Sequence, residues 1–166
     1  MSNYTLGSAL RESNIGVRVD KVGVLTADDD LFNVYGECLI TLMYGVVTTV
    51  MDGGASTVAL NEKASSIAIS AATTITSDAL GTVYVVTGQT GALLNGGDAP
   101  TVAVGMAGGQ HTSTVVLGNS VSPWIMDGGT AGLIIESTQT GADTGGITWS
   151  IFYLPLEEGA YISAAA

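Results

Sequence analysis

A chain of 166 residues with 15 acids and only four Lys and Arg carries a net charge of −11. That balance repels phosphate backbones and argues against a nucleic-acid partner. Hydrophobic residues make up 46% and charged residues 11%, against a usual charged share of about 25%, and a single cysteine excludes an intramolecular disulfide.

The length suits one domain with a self-sufficient core. A chain this apolar either has a surface rich in Ser, Thr and Gly or is partly covered by a partner. The basic residues end at Lys63, and His111 is the single histidine. The second half therefore offers no Lys or Arg for a phosphate and no Lys nucleophile. Eight acids lie in residues 1–63 and seven beyond.

Residues 1–14 read as a polar N-terminal arm. They lack a basic region followed by an apolar stretch, so no signal peptide is expected. Ile15-Gly-Val-Arg-Val19 alternates apolar with small or polar residues, the period of a half-buried strand. The phase slips at Lys21, and Val22 and Val24 continue on the other parity, which predicts a bulge. Asp28-Asp-Asp30 reads as a turn.

Phe32–Met51 is the most apolar stretch. Two strands are expected, at 37–44 and 46–51, buried on both faces in the centre of a sheet, with a bend at Gly45. A 20-residue helix is the competitor. The β-branched cluster Val46-Val-Thr-Thr-Val50 argues against it. Met51-Asp-Gly-Gly54 turns the chain. Strands are expected at 56–60, 66–70 and 80–87, and a loop or insertion at 88–100. Further strands fall at 101–104, 114–118, 131–137 and 146–154.

Strands every 8–15 residues, Gly/Asn/Asp turns and no sustained helical period indicate an all-β fold. The expectation is a single all-β domain over 15–166. It is an antiparallel β-sandwich or barrel, a jelly-roll-like path among the options, with little or no helix. A membrane span is not expected. The uncharged stretch Ala99–Met126 is broken by Pro100, Gly105, Gly108, Gly109, Gly118 and Pro123. One local repeat is visible, Met51-Asp-Gly-Gly against Met126-Asp-Gly-Gly, each a strand end followed by an Asp-Gly turn.

Candidate chemistry is sparse. His111 has no second histidine to share a metal, so a solvated loop residue is the favoured reading. Three copies around a trimer axis are the lesser one. The triplet Asp28–Asp30 lacks the alternating pattern of a calcium loop and reads as a solvated turn. Cys38 lies in an apolar run and reads as a buried, inert thiol. Gly118-Asn-Ser-Val-Ser122 fails as a nucleophile elbow, and Ser113 near His111 carries little information. Asn3-Tyr-Thr5 matches a glycosylation sequon, read as chance. Acid pairs for a hydrolase leave no local signature. No catalytic, cofactor-binding or metal residue is assigned, and no enzyme activity is expected.

Three segments carry a family resemblance. Phe32-Asn-Val-Tyr-Gly36 leading into an apolar run and Gly45-Val-Val-Thr-Thr49 is the first. Leu80-Gly-Thr-Val-Tyr-Val-Val-Thr-Gly88 is the second. Gly145-Gly-Ile-Thr-Trp-Ser-Ile-Phe-Tyr-Leu-Pro-Leu156 is the third. In order and spacing over residues 30–160 they resemble strands of tailed-bacteriophage capsid decoration, or cement, proteins.

The resemblance implies a structural virion protein on the capsid exterior that binds the major capsid protein and clamps neighbouring capsomers. A homo-oligomer is implied too, a trimer by analogy. The partners would be protein, with no nucleic acid and no membrane. The arm 1–14, the loop 88–100, the loop carrying Trp124 and the tail from Glu157 are the candidate contact elements, with Tyr161 in that tail. For Trp124 and Tyr161, ordinary packing competes with contact. Carboxylates beyond Lys63 are expected at solvent-facing turns or against capsid Lys and Arg. A carbohydrate-binding or tail-fibre adhesin module is the alternative reading, and a hydrolase using Asp or Glu the third.

Overall fold

The computed structural model describes residues 15–88, 93–95 and 122–166. Their regular structure is almost entirely strand. In chain order these are β1 (Val17–Gly23), β2 (Asp29–Tyr35), β3 (Glu37–Thr49), β4 (Thr57–Glu62), β5 (Ile67–Ala68) and β6 (Thr73–Thr74). There follow β7 (Val83–Val85), β8 (Leu94–Asn95), β9 (Trp124–Asp127), β10 (Leu133–Thr140), β11 (Gly146–Pro155) and β12 (Tyr161–Ala164).

Two antiparallel sheets pack face to face. One has the order β1-β11-β3-β7-β8, with β9 also on β3; the other is β12-β2-β10-β4-β5, with β6 also on β4. Strands β1 to β4 alternate between the sheets, and the chain returns between them. Returning β11 lies between β1 and β3, and returning β10 lies between β2 and β4. This interleaving in both sheets is the jelly-roll path, with β12 added beside β2. The all-β sandwich expected from strand spacing is therefore the observed fold.

The core lies between the sheets. Phe32, Val34, Ile40, Met43, Leu60, Ile135, Ile147, Trp149 and Ile151 are fully or almost fully buried there. Bulges explain why the sequence looked apolar on both faces. Opposite β11 the register skips Thr41 and Thr48 of β3. The buried set accordingly changes parity, from Cys38 and Ile40 to Met43, Gly45 and Val47. The extra residue at each bulge leaves ladder groups unpaired, and a threonine sits at both. Thr41 Oγ1 donates to Ile15 O and Phe152 O, and Thr48 Oγ1 donates to Gly146 O at 3.3 Å. A third bulge, at Leu31 opposite β10, lets Leu31 and Phe32 both be buried.

Several expectations need correction. β3 is one strand of 13 residues, neither a helix nor two strands. Its inner face is buried, while Leu39, Leu42, Tyr44 and Val46 on the outer face are only half-buried. Gly45 does not bend it; it seats a neighbour. Gly45 lies opposite Trp149 in register. A Cβ there would come 2.7 Å from Ile147 Cγ2 and 2.8 Å from Trp149 Cε3.

No bulge occurs at Lys21, since β1 pairs with β11 residue for residue from Val17 to Gly23. Val22 and Val24 instead face outward, Val22 at 66% exposure. The turn read at Asp28–Asp30 falls earlier, at 25–27, and Asp29 and Asp30 open β2. β2, β6, β9 and β12 were not expected as strands, and β8 falls within the stretch expected to be the loop 88–100. The strands expected at 101–104 and 114–118, and the arm 1–14, lie outside the described residues.

The corners sort to two ends of the sandwich. At one end, Gly36 (φ +64°) carries the chain from β2 to β3. Its N–H donates to Gly129 O, and Gly128 N–H donates to Gly36 O. A side chain at Gly36 would meet Glu157 and Ala160 of the β11–β12 corner, and positive φ independently favours glycine there.

At the other end, Asp143 in the β10–β11 loop is 1% exposed. It accepts hydrogen bonds from Asp52 N at 3.0 Å, Gly145 N at 2.7 Å and Ser56 Oγ at 2.9 Å. The two Met-Asp-Gly-Gly segments are both corners between sheets, from β3 to β4 and from β9 to β10. In each, the Asp Oδ1 accepts the amide two residues on, Gly54 N and Gly129 N, both at 2.8 Å.

Two stability outcomes follow from this packing. Gly45→Ala overpacks the Trp149 seat and should cost about 1–3 kcal/mol in chemical denaturation. Asp143→Ala strands three donors, the buried Ser56 hydroxyl and the part-buried Asp52 and Gly145 amides, and should cost about 3 kcal/mol. Asp143→Asn, which keeps one carbonyl acceptor, should lose less, as read by the same denaturation midpoints.

Candidate functional site

The sites considered from sequence disperse in the structure. His111 and Ser113 lie outside the described residues, and so does most of the loop 88–100. The three carboxylates Asp28–Asp30 point to separate structural tasks. Asp28 Oδ1 accepts Gln139 N at 2.8 Å and Asp29 Oδ2 accepts Val24 N at 2.9 Å. Asp30 takes the Lys63 ammonium on both oxygens, at 2.7 and 2.8 Å. They hold the start of β2 to its neighbours and do not converge. Among the described residues no group of three or more His, Cys, Asp or Glu converges as a metal site.

Cys38 is fully buried in the core. Burial pushes its thiol up from the usual range, and Glu157 adds to the effect. The thiolate needed for reactivity is thereby disfavoured.

Trp124 is not in a loop; it opens β9 opposite Ile40 and packs half-buried against the core. The tail from Glu157 is built into the sandwich as β12. Tyr161 stacks on Tyr35 across the β12–β2 pair, with centroids 4.8 Å apart, and remains 48% exposed.

The carboxylates beyond Lys63 do not all face solvent, as had been expected. Asp127, Glu157 and Glu158 are exposed, but Asp78 and Asp143 are buried at 4% and 1%. Tyr84 OH donates to Asp78. These two acids serve the fold, because a buried carboxylate persists only where donors replace its water.

The described cations are similarly engaged. Arg18 pairs with Asp20 at 2.7 Å and lies 5.8 Å from the Phe152 ring centroid. Lys21 reaches from edge strand β1 to Ala165 O at 3.0 Å, tying one sheet to the other. Lys63 is held by Asp30.

What the sequence reading missed is a cleft at the Gly36 end of the sandwich. There the two sheets part between β5 and β9, and the core opens to the surface. The opening measures about 320 Å³ and is lined by Ile67, Trp124, Ile125, Met126, Leu133 and Glu62, among others. Ile67 and Ile125 stand at its rim, 64% and 57% exposed.

Glu62 is the one ionisable group among the described lining residues. It ends β4 on the inner parity, opposite Ile135, and caps the β4–β5 turn. Its Oε1 accepts Ala64 N at 2.9 Å and its Oε2 accepts Ser65 N at 2.7 Å. A smaller hollow of about 120 Å³ adjoins, sharing Glu62 and Leu133 and adding Lys63, Gly132 and Ile134. The sequence signal for the cleft is diffuse: isolated apolar residues spread over the strands expected at 66–70 and 131–137 and the loop expected around Trp124.

An apolar cleft with one charged group can bind and orient an amphipathic partner. Its described lining residues include no paired acid and base for proton transfer. No family model, curated protein or solved structure matches the chain. The described residues contain no helix long and apolar enough to cross a membrane.

Hydrogen bonding at the β4–β5 turn holds the Glu62 carboxyl below the usual Glu range, with Ser65 the largest cause and the Ala64 amide next. Its charge is therefore present at neutral pH and is lost only as pH falls through that depressed value. Ser65→Ala should move the Glu62 titration up toward the ordinary range. Side-chain carboxyl NMR across acidic pH measures this directly.

Proposed function

We propose that the chain is a structural virion protein, a head decoration or cement protein that binds the outer capsid surface and stabilises contacts between capsomers. One observation carries the reading. The three segments that resemble decoration-protein strands fall on β2–β3, β7 and β11, and β11, β3 and β7 are consecutive neighbours in one sheet. Most of the resembling pattern lies on neighbouring strands of one sheet, with Phe32–Tyr35 on β2 of the other, and this clustering supports the reading.

The surface is suited to such a role. Clamping capsomers needs area, shape and apolar contact, not catalysis. Exposed Ile67, Leu80 and Ile125 supply apolar contact area on a strongly acidic molecule. The partner in this reading is the major capsid protein, and the protein acts as a homo-oligomer, with a trimer favoured. Symmetry would multiply individually weak contacts.

A second reading has its own observation. The stacked and half-exposed Tyr35–Tyr161 pair is the type of aromatic surface on which a sugar ring packs. It favours a carbohydrate-binding or adhesin module of a virion. The jelly-roll path occurs in both viral and lectin domains and selects neither reading.

The test is direct. Purified protein should bind expanded heads of the phage whose genome encodes it, and heads carrying it should survive heating that opens bare heads. Absence of binding, with equal heat stability of bare and incubated heads, rejects the cement role. A glycan-array signal abolished by Tyr161→Ala would move the assignment to the second reading.

A further inference from the structure

We infer that the cleft between β5 and β9 seats an extended segment of the capsid partner that carries one apolar side chain and, two residues along, a Lys or Arg. The inference rests on the cement reading and names the contact within it.

Shape is the first argument. The larger hollow is an opening into the core between the sheets, lined by Ile67, Trp124, Met126 and Leu133, so it takes an apolar group. At about 320 Å³ it lies at the small end of ligand pockets, which run from about 300 to 1,000 Å³. The second hollow lies beside it and shares Glu62 and Leu133 as a common wall. Side chains on one face of an extended strand repeat every second residue, about 6.6 Å apart. Two hollows that share a wall can each take one such side chain.

Charge is the second argument. Glu62 stands on the wall between the hollows with both oxygens oriented by turn amides. Lys63 lines the smaller hollow, but Asp30 holds its ammonium, and Glu136 and Asp28 also act on it. Three carboxylates thus act on one ammonium, and Glu62 adds a fourth negative charge on the shared wall. The local field attracts a cation and repels an acid.

The same inventory argues against a second copy as occupant. Arg18, Lys21 and Lys63 are the described cations, and each already has an acceptor within its own chain. Another copy would approach this acidic rim with none of those three cations to spare.

The test has two arms. In the first, isotope-labelled protein is titrated by NMR with three synthetic five-residue Thr-based peptides. One carries Leu and Lys at alternate positions, one Leu and Glu, and one Lys alone. The Leu–Lys peptide should shift the Ile67, Trp124 and Leu133 signals. Its affinity should fall at least fivefold with Glu62→Gln or Ile125→Ser, and stay unchanged with Val22→Ser on the distant strand β1. The Leu–Glu and Lys-only peptides should bind at least fivefold more weakly. No shift at these residues, or equal binding of the Leu–Lys and Leu–Glu peptides, overturns the inference.

In the second arm, Glu62→Gln, Ile67→Ser and Val22→Ser are compared with the unaltered protein on expanded heads. The expected result is weaker binding for the first two only. Equal binding of all four overturns the cleft assignment and leaves the cement role standing. Failure of the unaltered protein to bind heads overturns the cement role and the capsid occupant with it, whatever the peptides do. Sedimentation showing self-association that Ile67→Ser abolishes would also overturn the inference and give the cleft to a second copy.

Discussion

The ladder between β3 and β11 carries the rest of the molecule. It joins the two longest strands, and both are interior to their sheet. β1 hangs on the free edge of β11, while β7 and β9 share the far edge of β3. Trp149 lies at its middle, fully buried, over the space that Gly45 leaves. A large ring against a residue without a side chain keeps the strands at ladder distance while filling the inter-sheet layer. The bulges at Thr41 and Thr48 then set which residues of β3 face inward.

The second constraint is the chain's charge. Few cations are available to balance 15 acids, so the fold neutralises carboxylates with amides and hydroxyls. Asp52 and Asp127 cap the turns that carry the chain between sheets, and Asp143 fastens two loops at one end. Asp28 and Asp29 accept backbone amides in the same way. Backbone donors are present in every corner whatever the composition, which lets an acidic chain fold without an extensive ion-pair network. Exposed ion pairs would add little in any case.

Function is a separate question from the path of the chain, because a jelly roll serves many roles. The useful asymmetry is between the two ends of the sandwich. One end is closed by the Asp143 network, while the other opens into an apolar cleft with a carboxylate on its wall. Closed ends serve stability. An opening into the core that ends at a charged residue is where a partner can gain both burial and orientation.

The fold class was legible in the sequence because strand period, β-branched clusters and Asp-Gly turns are local signals, and local signals survive in any context. The bulk of β3, β4, β10 and β11 could be read this way. The buried, inert Cys38 was equally legible from its apolar neighbours. Bulges were not, since a slipped phase near Lys21 and a doubly apolar run through Phe32–Val50 look alike in one dimension. In space the first is an outward-facing edge and the second holds the true bulges. Nor could the chain alone assign β9 and β12, short segments that become strands only because β3 and β2 offer them an open edge. The cleft belongs to the same class. Glu62, Ile67, Trp124 and Leu133 lie between positions 62 and 133 of the chain, and only the packing of one sheet on the other brings them to a common surface.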